Sequence, residues 1–269
     1  MCLRFPKRSQ AVIFSIWLFV GLAHSRDLRV CADPDNLPFS NTKQQGFENR
    51  IAEVVARDLH AHLIYQWQRM GRGFVREYLD TSKCDLLIEV PSAFRPLLTT
   101  SPYYRSAFVF VTRRDHRLQV ASLDDPALRH LKIGVEVLQE DYTPPGTALA
   151  RRGLQNQIVG FDRTGEKGDS IIRAVANRRV DAAIVWGPLA GYFAQKFGNS
   201  LQLNLLSPEL DPPGLPFTFS ISMGVRKGNT ALRDELETVL RRRGSEIRGV
   251  LHRYGVPQLE LAQTSGGEN

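Results

Sequence analysis

Cysteine, methionine and tryptophan are scarce in this chain, with three of each among 269 residues. So few cysteines exclude a disulfide-dense miniprotein. No apolar run reaches the roughly 20 residues that a membrane-spanning helix needs, which excludes a multi-span membrane protein. With 42% hydrophobic and 23% charged residues, the composition is that of an ordinary globular protein and excludes a disordered or collagen-like chain.

Acidic residues are absent before Asp27, and the segment that lacks them has the features of a secretory signal peptide. Three basic residues precede an apolar stretch of 12 residues, 11–22, and small residues follow it. We predict a signal peptide over residues 1–25 that is cleaved before Arg26. An uncleaved membrane anchor is the alternative, but the apolar stretch is shorter than a spanning helix requires.

The excess of basic residues is smaller in the mature chain than in the full one. The 35 basic and 28 acidic residues give a net charge of +7, and removal of the three basic residues of the signal leaves +4. Part of this excess lies in a run of three arginines, 241–243, which is typical of a solvated helix face. There is no zinc-finger spacing, aromatic RNA-binding motif or long basic arm, so we expect no nucleic-acid partner.

Two cysteines, Cys31 and Cys84, remain after cleavage, and each lies in or next to a predicted strand. An exported chain enters an oxidising compartment, where an even cysteine count favours one disulfide. Two buried free thiols are the alternative, because the sequence does not give the geometry that a disulfide needs.

Strand and helix patterns alternate along the mature chain, which predicts an α/β fold built from βαβ units with parallel sheets. Two such halves, followed by a late strand and a long helix, indicate two lobes. If the chain crosses between them at 108–112 and returns at 219–225, a cleft lies between the lobes; the periodicity alone does not establish these crossings. The predicted strands are 28–32, 62–67, 85–90, 108–112, 132–137, 157–161, 181–185, 201–206 and 219–225, and the predicted helices are 48–59, 73–79, 145–152, 170–178 and 230–254.

Several motifs resemble the family 3 extracellular solute-binding proteins, and more closely the J-type (MxaJ/XoxJ type) proteins of methanol-oxidation gene clusters. Each motif is weak alone, but together they span nearly the whole mature chain. They are VCADPDNLPFSN (30–41), GFENRIAEVVARDL (46–59), SPYYRSAFVFVTR (101–113), SLDDPALRHLKIGV (122–135), ALARRG (148–153), VWGPLAGYFA (185–194) and SMGVRKGN (222–229).

This resemblance implies a two-lobe, type 2 periplasmic-binding-protein-like fold whose lobes are joined by two hinge strands. Lobe 1 would comprise residues 26–112 and 220–269, and lobe 2 would comprise residues 113–219. The resemblance also implies a periplasmic location, no cofactor and no reaction of its own. The implied partner is a PQQ-dependent methanol or alcohol dehydrogenase, in some systems a lanthanide-dependent one.

Arg95, just after the third predicted strand, lies where related solute-binding proteins often place an arginine that clamps a ligand carboxylate. A planar guanidinium suits this role because it makes two parallel charge-assisted hydrogen bonds. Amino-acid receptors also hold the ligand ammonium with an acidic residue after a late lobe-2 strand. Here that place reads Val-Trp-Gly-Pro, 185–188, without a carboxylate, which argues against a free amino acid as ligand.

The remaining cleft candidates follow strand ends or are aromatic. Asp33 and Asp35 could suggest a hard cation, but the next positions of a calcium loop hold Leu37 and Pro38, so we predict turn chemistry and no metal. Aromatic residues usually lie in the core of a protein. The tyrosines and the tryptophan among the candidates could therefore be either core residues or residues that line the cleft. The candidates that complete the predicted cleft are Asp33, Asn36, Phe39, Arg72, Pro91, Tyr103, Tyr104, Trp186 and Tyr192.

Three functions are therefore compatible with the sequence. The first is a dehydrogenase accessory protein that binds the enzyme, a small ligand or both in the inter-lobe cleft. The second is a transporter receptor for a small carboxylate or an amino acid, which depends on Arg95. The third is a dehydratase-like enzyme on the same fold, which needs a cleft acid such as Glu89 or Glu136 with a raised pKa.

Overall fold

The computed structural model describes residues 26–69, 73–138, 141–162 and 168–261. The longer strands are β1 (Asp27–Ala32), β2 (His62–Trp67), β3 (Leu86–Pro91), β4 (Tyr104–Arg113), β5 (Ile133–Leu138), β6 (Ile158–Asp162), β7 (Ala182–Trp186), β8 (Leu201–Leu205) and β9 (Thr218–Val225). The α-helices are α1 (Phe47–Asp58), α2 (Pro144–Arg151), α3 (Ser170–Ala176), α4 (Gly187–Ala194) and α5 (Thr230–Arg253).

Shorter elements connect these strands and helices. Two-residue strands lie at Asp35–Asn36, Ser40–Asn41, Leu98–Thr99, Asp141–Tyr142, Leu210–Asp211 and Leu215–Pro216. Helical turns of the 3₁₀ type occupy Arg114–His116, Pro126–His130, Gln155–Gln157 and Gln195–Ser200. The predicted second helix, 73–79, is wrong in type and length. The structure has a π-helical turn there, Val75–Leu79, which is shorter than the predicted helix.

The strands form two α/β sheets, one in each lobe. In lobe 1, β1 runs parallel to both β2 and β3, and β9 pairs with β3 in the antiparallel direction. In lobe 2, β5 runs parallel to both β6 and β7. Strand β4 lies antiparallel to both β7 and β8. Each lobe thus has the parallel βαβ core that the alternating sequence pattern predicts.

Strands β4 and β9 join the two sheets. Residues 104–107 of β4 pair with residues 218–221 of β9, and residues 108–113 of β4 pair with the lobe-2 strands β7 and β8. We predicted that the chain crosses between the lobes at residues 108–112. In the structure these residues already belong to the lobe-2 sheet, and β4 pairs with β9 just before them, at residues 104–107. Two lobes joined by two strands confirm the predicted fold class, while the exact lobe boundaries stay a prediction.

Helices α1 and α5 cover one face of the lobe-1 sheet. Phe47, Ile51 and Val55 recur at helical spacing on α1, and all three are fully buried. The helix begins after Gly46, whose N–H donates to the Asn49 side chain at 3.1 Å. A side chain at Gly46 would overlap the carbonyl of Phe39, so this close approach requires glycine.

Lobe 2 buries both faces of its sheet. One apolar cluster gathers residues of α3 and α4, and the other gathers residues of α2 with Phe110, Phe217 and Leu128. Within the described ranges, no helix is both long enough and apolar enough to cross a membrane.

The predicted disulfide is confirmed. Cys31 on β1 bonds to Cys84, just before β3, with their Cα atoms 5.6 Å apart. Both cysteines are buried with Phe74, Tyr78 and Leu87 on the face of the lobe-1 sheet that α1 and α5 leave uncovered. The bond therefore joins β1 to the segment that leads into β3, and the π-helical turn packs over it.

Replacing both Cys31 and Cys84 with alanine should lower the free energy of unfolding by about 2–5 kcal/mol, because the bond closes a long loop in the unfolded chain. Denaturant unfolding of the double variant beside the oxidised wild type measures the difference. Reduced wild-type protein is the control and should unfold at the midpoint of the double variant. A loss below about 1 kcal/mol would contradict a stabilising role.

Candidate functional site

The parallel strands of lobe 1 end at one edge of the sheet, where open α/β sheets bind their ligands. Asp33 and Asn36 follow β1 at this edge and belong to a compact turn. The Asp33 carboxylate accepts the N–H of Asp35 at 3.0 Å, and the carbonyl of Asn36 accepts the N–H of Phe39 at 2.8 Å. This is the turn chemistry that we predicted for the segment.

Three aromatic candidates are buried in the core of lobe 1. The Phe39 ring lies 5.2 Å from the ring of Phe47, and the rings of Tyr103 and Tyr104 lie 5.1 Å apart. The Tyr103 hydroxyl donates to the carbonyl of Ile88 at 3.0 Å. These rings offer little surface to a ligand, because they fill the space between the sheet and its helices; their role in binding remains a prediction.

Trp186 lies at the carboxyl end of β7, where the two joining strands pass between the lobes. Its ring packs edge to face on Phe108 of β4 at 5.5 Å and on Phe219 of β9 at 5.7 Å. Its backbone N–H donates to the carboxylate of Glu136 at 3.0 Å. Glu136 is only 2% exposed, so this carboxylate positions the tryptophan.

Tyr192 on α4 contacts lobe 1, and its place in the cleft stays a prediction. Its ring stacks on the ring of Tyr254 at the end of α5, with centroids 5.7 Å apart and planes 18° apart. The Tyr254 hydroxyl donates to the carbonyl of Gln45 at 2.7 Å. The two tyrosines therefore link lobe 2 to the helix side of lobe 1.

The segment after α5, which we call the C-terminal tail (residues 255–261), reinforces the joining strands. Ser106 of β4 donates to the carbonyl of Pro257 at 2.7 Å, and the N–H of Leu259 donates to the carbonyl of Arg105 at 2.8 Å. Gly191 of α4 lies directly against the tail, and a side chain there would overlap the carbonyl of Gly255. No local sequence pattern pointed to these contacts, because they join positions far apart in the chain.

The Glu48 carboxylate of lobe 1 lies close enough to the carboxylates of Glu89 and Asp33 to interact with each of them. Glu48 on α1 is 8% exposed. Burial raises the pKa of Glu48 well above its usual range, and the negative charges of Glu89 and Asp33 raise it further. Glu48 was not among the predicted site residues, although an acidic residue in the first turn of an amphipathic helix was an available signal.

A cavity of about 750 Å³ adjoins the end of β3. Pro91 lines it, as do Phe94 and Pro96, which flank Arg95 on the following loop. Arg95 itself is exposed to solvent and is not among the lining residues. Arg72 lies outside the described residues.

Across the described residues, no three side chains of histidine, cysteine, aspartate or glutamate come together in a group that could hold a metal ion. The arrangement as a whole comprises two α/β lobes, two joining strands with an aromatic cluster at their crossing, and polar turns at the ends of parallel strands. Together these features define a binding protein of the two-lobe periplasmic type.

Comparison with known proteins indicates the same class, a two-lobe periplasmic binding protein. The chain is 30% identical to protein MoxJ from Paracoccus denitrificans, over 89% of this chain and 91% of that protein. The crystal structure of the periplasmic binding protein XoxJ from Methylobacterium extorquens AM1 is 37% identical and superposes with a TM-score of 0.70, covering 87% of this chain and 100% of that one. The crystal structure of MxaJ from Methlophaga aminisulfidivorans MPT is 26% identical with a TM-score of 0.75, covering 86% of this chain and 100% of that one.

The chain therefore belongs to the family of MoxJ- and XoxJ-type periplasmic binding proteins. No protein-family model matches the sequence.

Glu48→Gln should stabilise the protein at neutral pH and have a smaller effect near pH 4. A carboxyl pKa that is raised on folding means that the folded protein binds more protons than the unfolded chain between the two pKa values. Glu48 therefore lowers stability as pH rises from about 4.3, the usual glutamate pKa, through its folded pKa. Thermal unfolding across this range measures the difference, and each kcal/mol recovered should raise Tm by about 2–4 °C.

Glu53→Gln, at a partly exposed position of the same helix, is the matched control and should change Tm little at neutral pH, because it removes only a solvent-exposed ion pair with Arg50. A Glu48→Gln variant that is less stable than wild type at neutral pH would contradict the assignment of Glu48 as a destabilising buried acid.

Gly191→Ala should lower the free energy of unfolding by about 1–3 kcal/mol, because its Cβ would force α4 and the C-terminal tail apart. Gly244→Ala is the matched control, since it is also a helical glycine but the nearest atom to its Cβ belongs to the flexible Arg248 side chain. The control should be neutral or more stable by up to about 1 kcal/mol. Denaturant unfolding measures the free energy of unfolding of both variants. Equal changes in Gly191→Ala and Gly244→Ala would contradict a tight contact between α4 and the C-terminal tail.

Proposed function

We propose that the protein is a non-catalytic, periplasmic accessory protein of a PQQ-dependent methanol or alcohol dehydrogenase system. It binds the dehydrogenase, a small ligand or both in the cleft between its lobes. Residues 1–25 act as the export signal and are removed. A relation to MoxJ that spans 89% of the chain, and therefore includes both lobes, carries this proposal.

The lobe-2 side of the cleft supports a role other than amino-acid uptake. Where amino-acid receptors hold the ligand ammonium with an acidic side chain, this protein has Trp186, whose ring packs on both joining strands. The nearby carboxylate of Glu136 accepts the backbone N–H of Trp186 and is buried. An ammonium group would therefore have to displace a structural contact to reach that carboxylate.

The same observations argue against Glu136 as a catalytic acid. A dehydratase-like mechanism needs an acid that can reach a substrate and exchange a proton with it. Glu136 is buried and bonded to the backbone of Trp186, so it serves better as a positioning group.

A receptor for a small carboxylate is the second candidate, and the exposure of Arg95 favours it. Arg95 lies on the loop after β3, and it forms no salt bridge among the described residues. A free guanidinium near the ends of parallel strands could bind a carboxylate with two hydrogen bonds.

Isothermal titration calorimetry of the mature protein with its cognate dehydrogenase in the apo form tests the leading proposal. We expect saturable binding to the dehydrogenase and no measurable heat with free amino acids. Binding of an amino acid without binding of the dehydrogenase would contradict the proposal.

Arg95→Ala separates the two candidates. An accessory protein should bind the dehydrogenase as before when this side chain is removed. A carboxylate receptor should instead lose its ligand-induced rise in Tm across a panel of small carboxylates.

A further inference from the structure

Helix α4 of lobe 2 contacts the joining strand β4 and lobe 1 along its whole length. A Cβ at its first residue, Gly187, would lie 2.6 Å from the carbonyl oxygen of Ala107 on β4, and one at Gly191 would overlap the carbonyl of Gly255. Just after the helix, the Gln195 side chain lies 2.4 Å from the position that a Cβ at Gly255 would take. The backbone of α4 therefore touches the rest of the chain directly, because glycine places no side chain between them.

The C-terminal tail and the end of α5 hold this helix from the lobe-1 side. The Pro257 ring would be 3.3 Å from a Cβ at Gly191, so this proline packs directly on the helix. Tyr254, which stacks on Tyr192 of α4, also contacts the core of lobe 1. Its ring lies 6.0 Å from the ring of Phe47, with an angle of 73° between the two planes. The tyrosine stack therefore joins lobe 2 to the core of lobe 1.

A second contact crosses between the lobes from the loop after β1. Leu37 of this loop packs against the apolar cluster of lobe 2 that contains Phe193 of α4. Its carbonyl oxygen would lie 3.1 Å from a Cβ at Gly168 of lobe 2, and the Phe193 ring would be 3.3 Å from the same Cβ. Phe39, two residues further on, is buried in the core of lobe 1. The loop is therefore anchored in lobe 1 and reaches lobe 2.

Leu37 directly follows the polar turn of Asp33 and Asn36, at the sheet edge where open α/β sheets bind ligands. In receptors that close by a hinge movement, the ligand itself contacts both lobes and holds them together. Here a loop of the protein spans the two lobes without a ligand. A movement that separated the lobes would expose Leu37 and the stacked tyrosine rings to water, which costs free energy.

We propose that Leu37, the Tyr192–Tyr254 stack and the C-terminal tail form a latch that holds the two lobes in one arrangement in the free protein. All parts of the latch belong to the chain itself, so no other molecule has to supply a contact. The protein then recognises a partner or ligand with a fixed shape, in contrast to a receptor whose lobes close on binding. This inference goes beyond the proposed function, because it concerns the protein before it binds anything.

Electron-spin distance measurements on the ligand-free mature protein test this proposal. Ser245→Cys on α5 and Arg151→Cys on α2 allow one spin label on each lobe, at exposed helical positions outside the latch. We expect one narrow maximum in the distance distribution, because the latch leaves a single arrangement of the lobes. Two resolved maxima, or one broad distribution, in the protein with an intact latch would overturn the proposal.

Variants of the latch show whether these contacts cause the single arrangement. Leu37→Ala combined with Tyr192→Ala, and separately the removal of residues 257–269, should each broaden the distribution or add a second maximum. Tyr65→Ala is the matched control, because it removes an aromatic stack with Trp67 that lies within lobe 1; it should leave the distribution unchanged. Circular dichroism identifies the variants that fold, and a folded latch variant that keeps the wild-type distribution would overturn the proposal.

Discussion

The architecture depends on the pairing of one strand with both sheets. Strand β4 contributes its first four residues to the ladder with β9 and its remaining residues to the lobe-2 sheet. Its backbone hydrogen bonds therefore belong to both sheets, and the strand connects one lobe directly to the other. The aromatic cluster of Trp186, Phe108 and Phe219 then fills the space at the crossing.

Further contacts add to this constraint on the helix side. The C-terminal tail bonds to β4 through Ser106 and Arg105, and the Tyr192–Tyr254 stack joins α4 to the end of α5. Gly191 permits the close approach of α4 and the tail. The lobes therefore meet through backbone ladders, stacked rings and tight glycine contacts.

Local pattern predicted much of the fold but less of the site. The repeating apolar residues of α1 and α5 and the apolar pattern of the strands are local signals, and they located both helices and most strands to within one or two residues. Strand β4 is the exception, because it begins at Tyr104, four residues before the predicted start. The predicted helix 73–79 is instead a π-helical turn, and its Phe74 and Tyr78 rings pack in one buried cluster with the disulfide and Leu87. Tyr254, Pro257 and Glu48 were missed since their importance arises from long-range packing.

The proposed role in supporting a quinoprotein dehydrogenase is tested most directly by measuring dehydrogenase activity in periplasmic extracts of cells with and without the gene. We expect loss of the gene to lower dye-linked methanol oxidation at unchanged dehydrogenase level, and a plasmid copy to restore it. Unchanged methanol oxidation together with lost uptake of a small solute would contradict the claim.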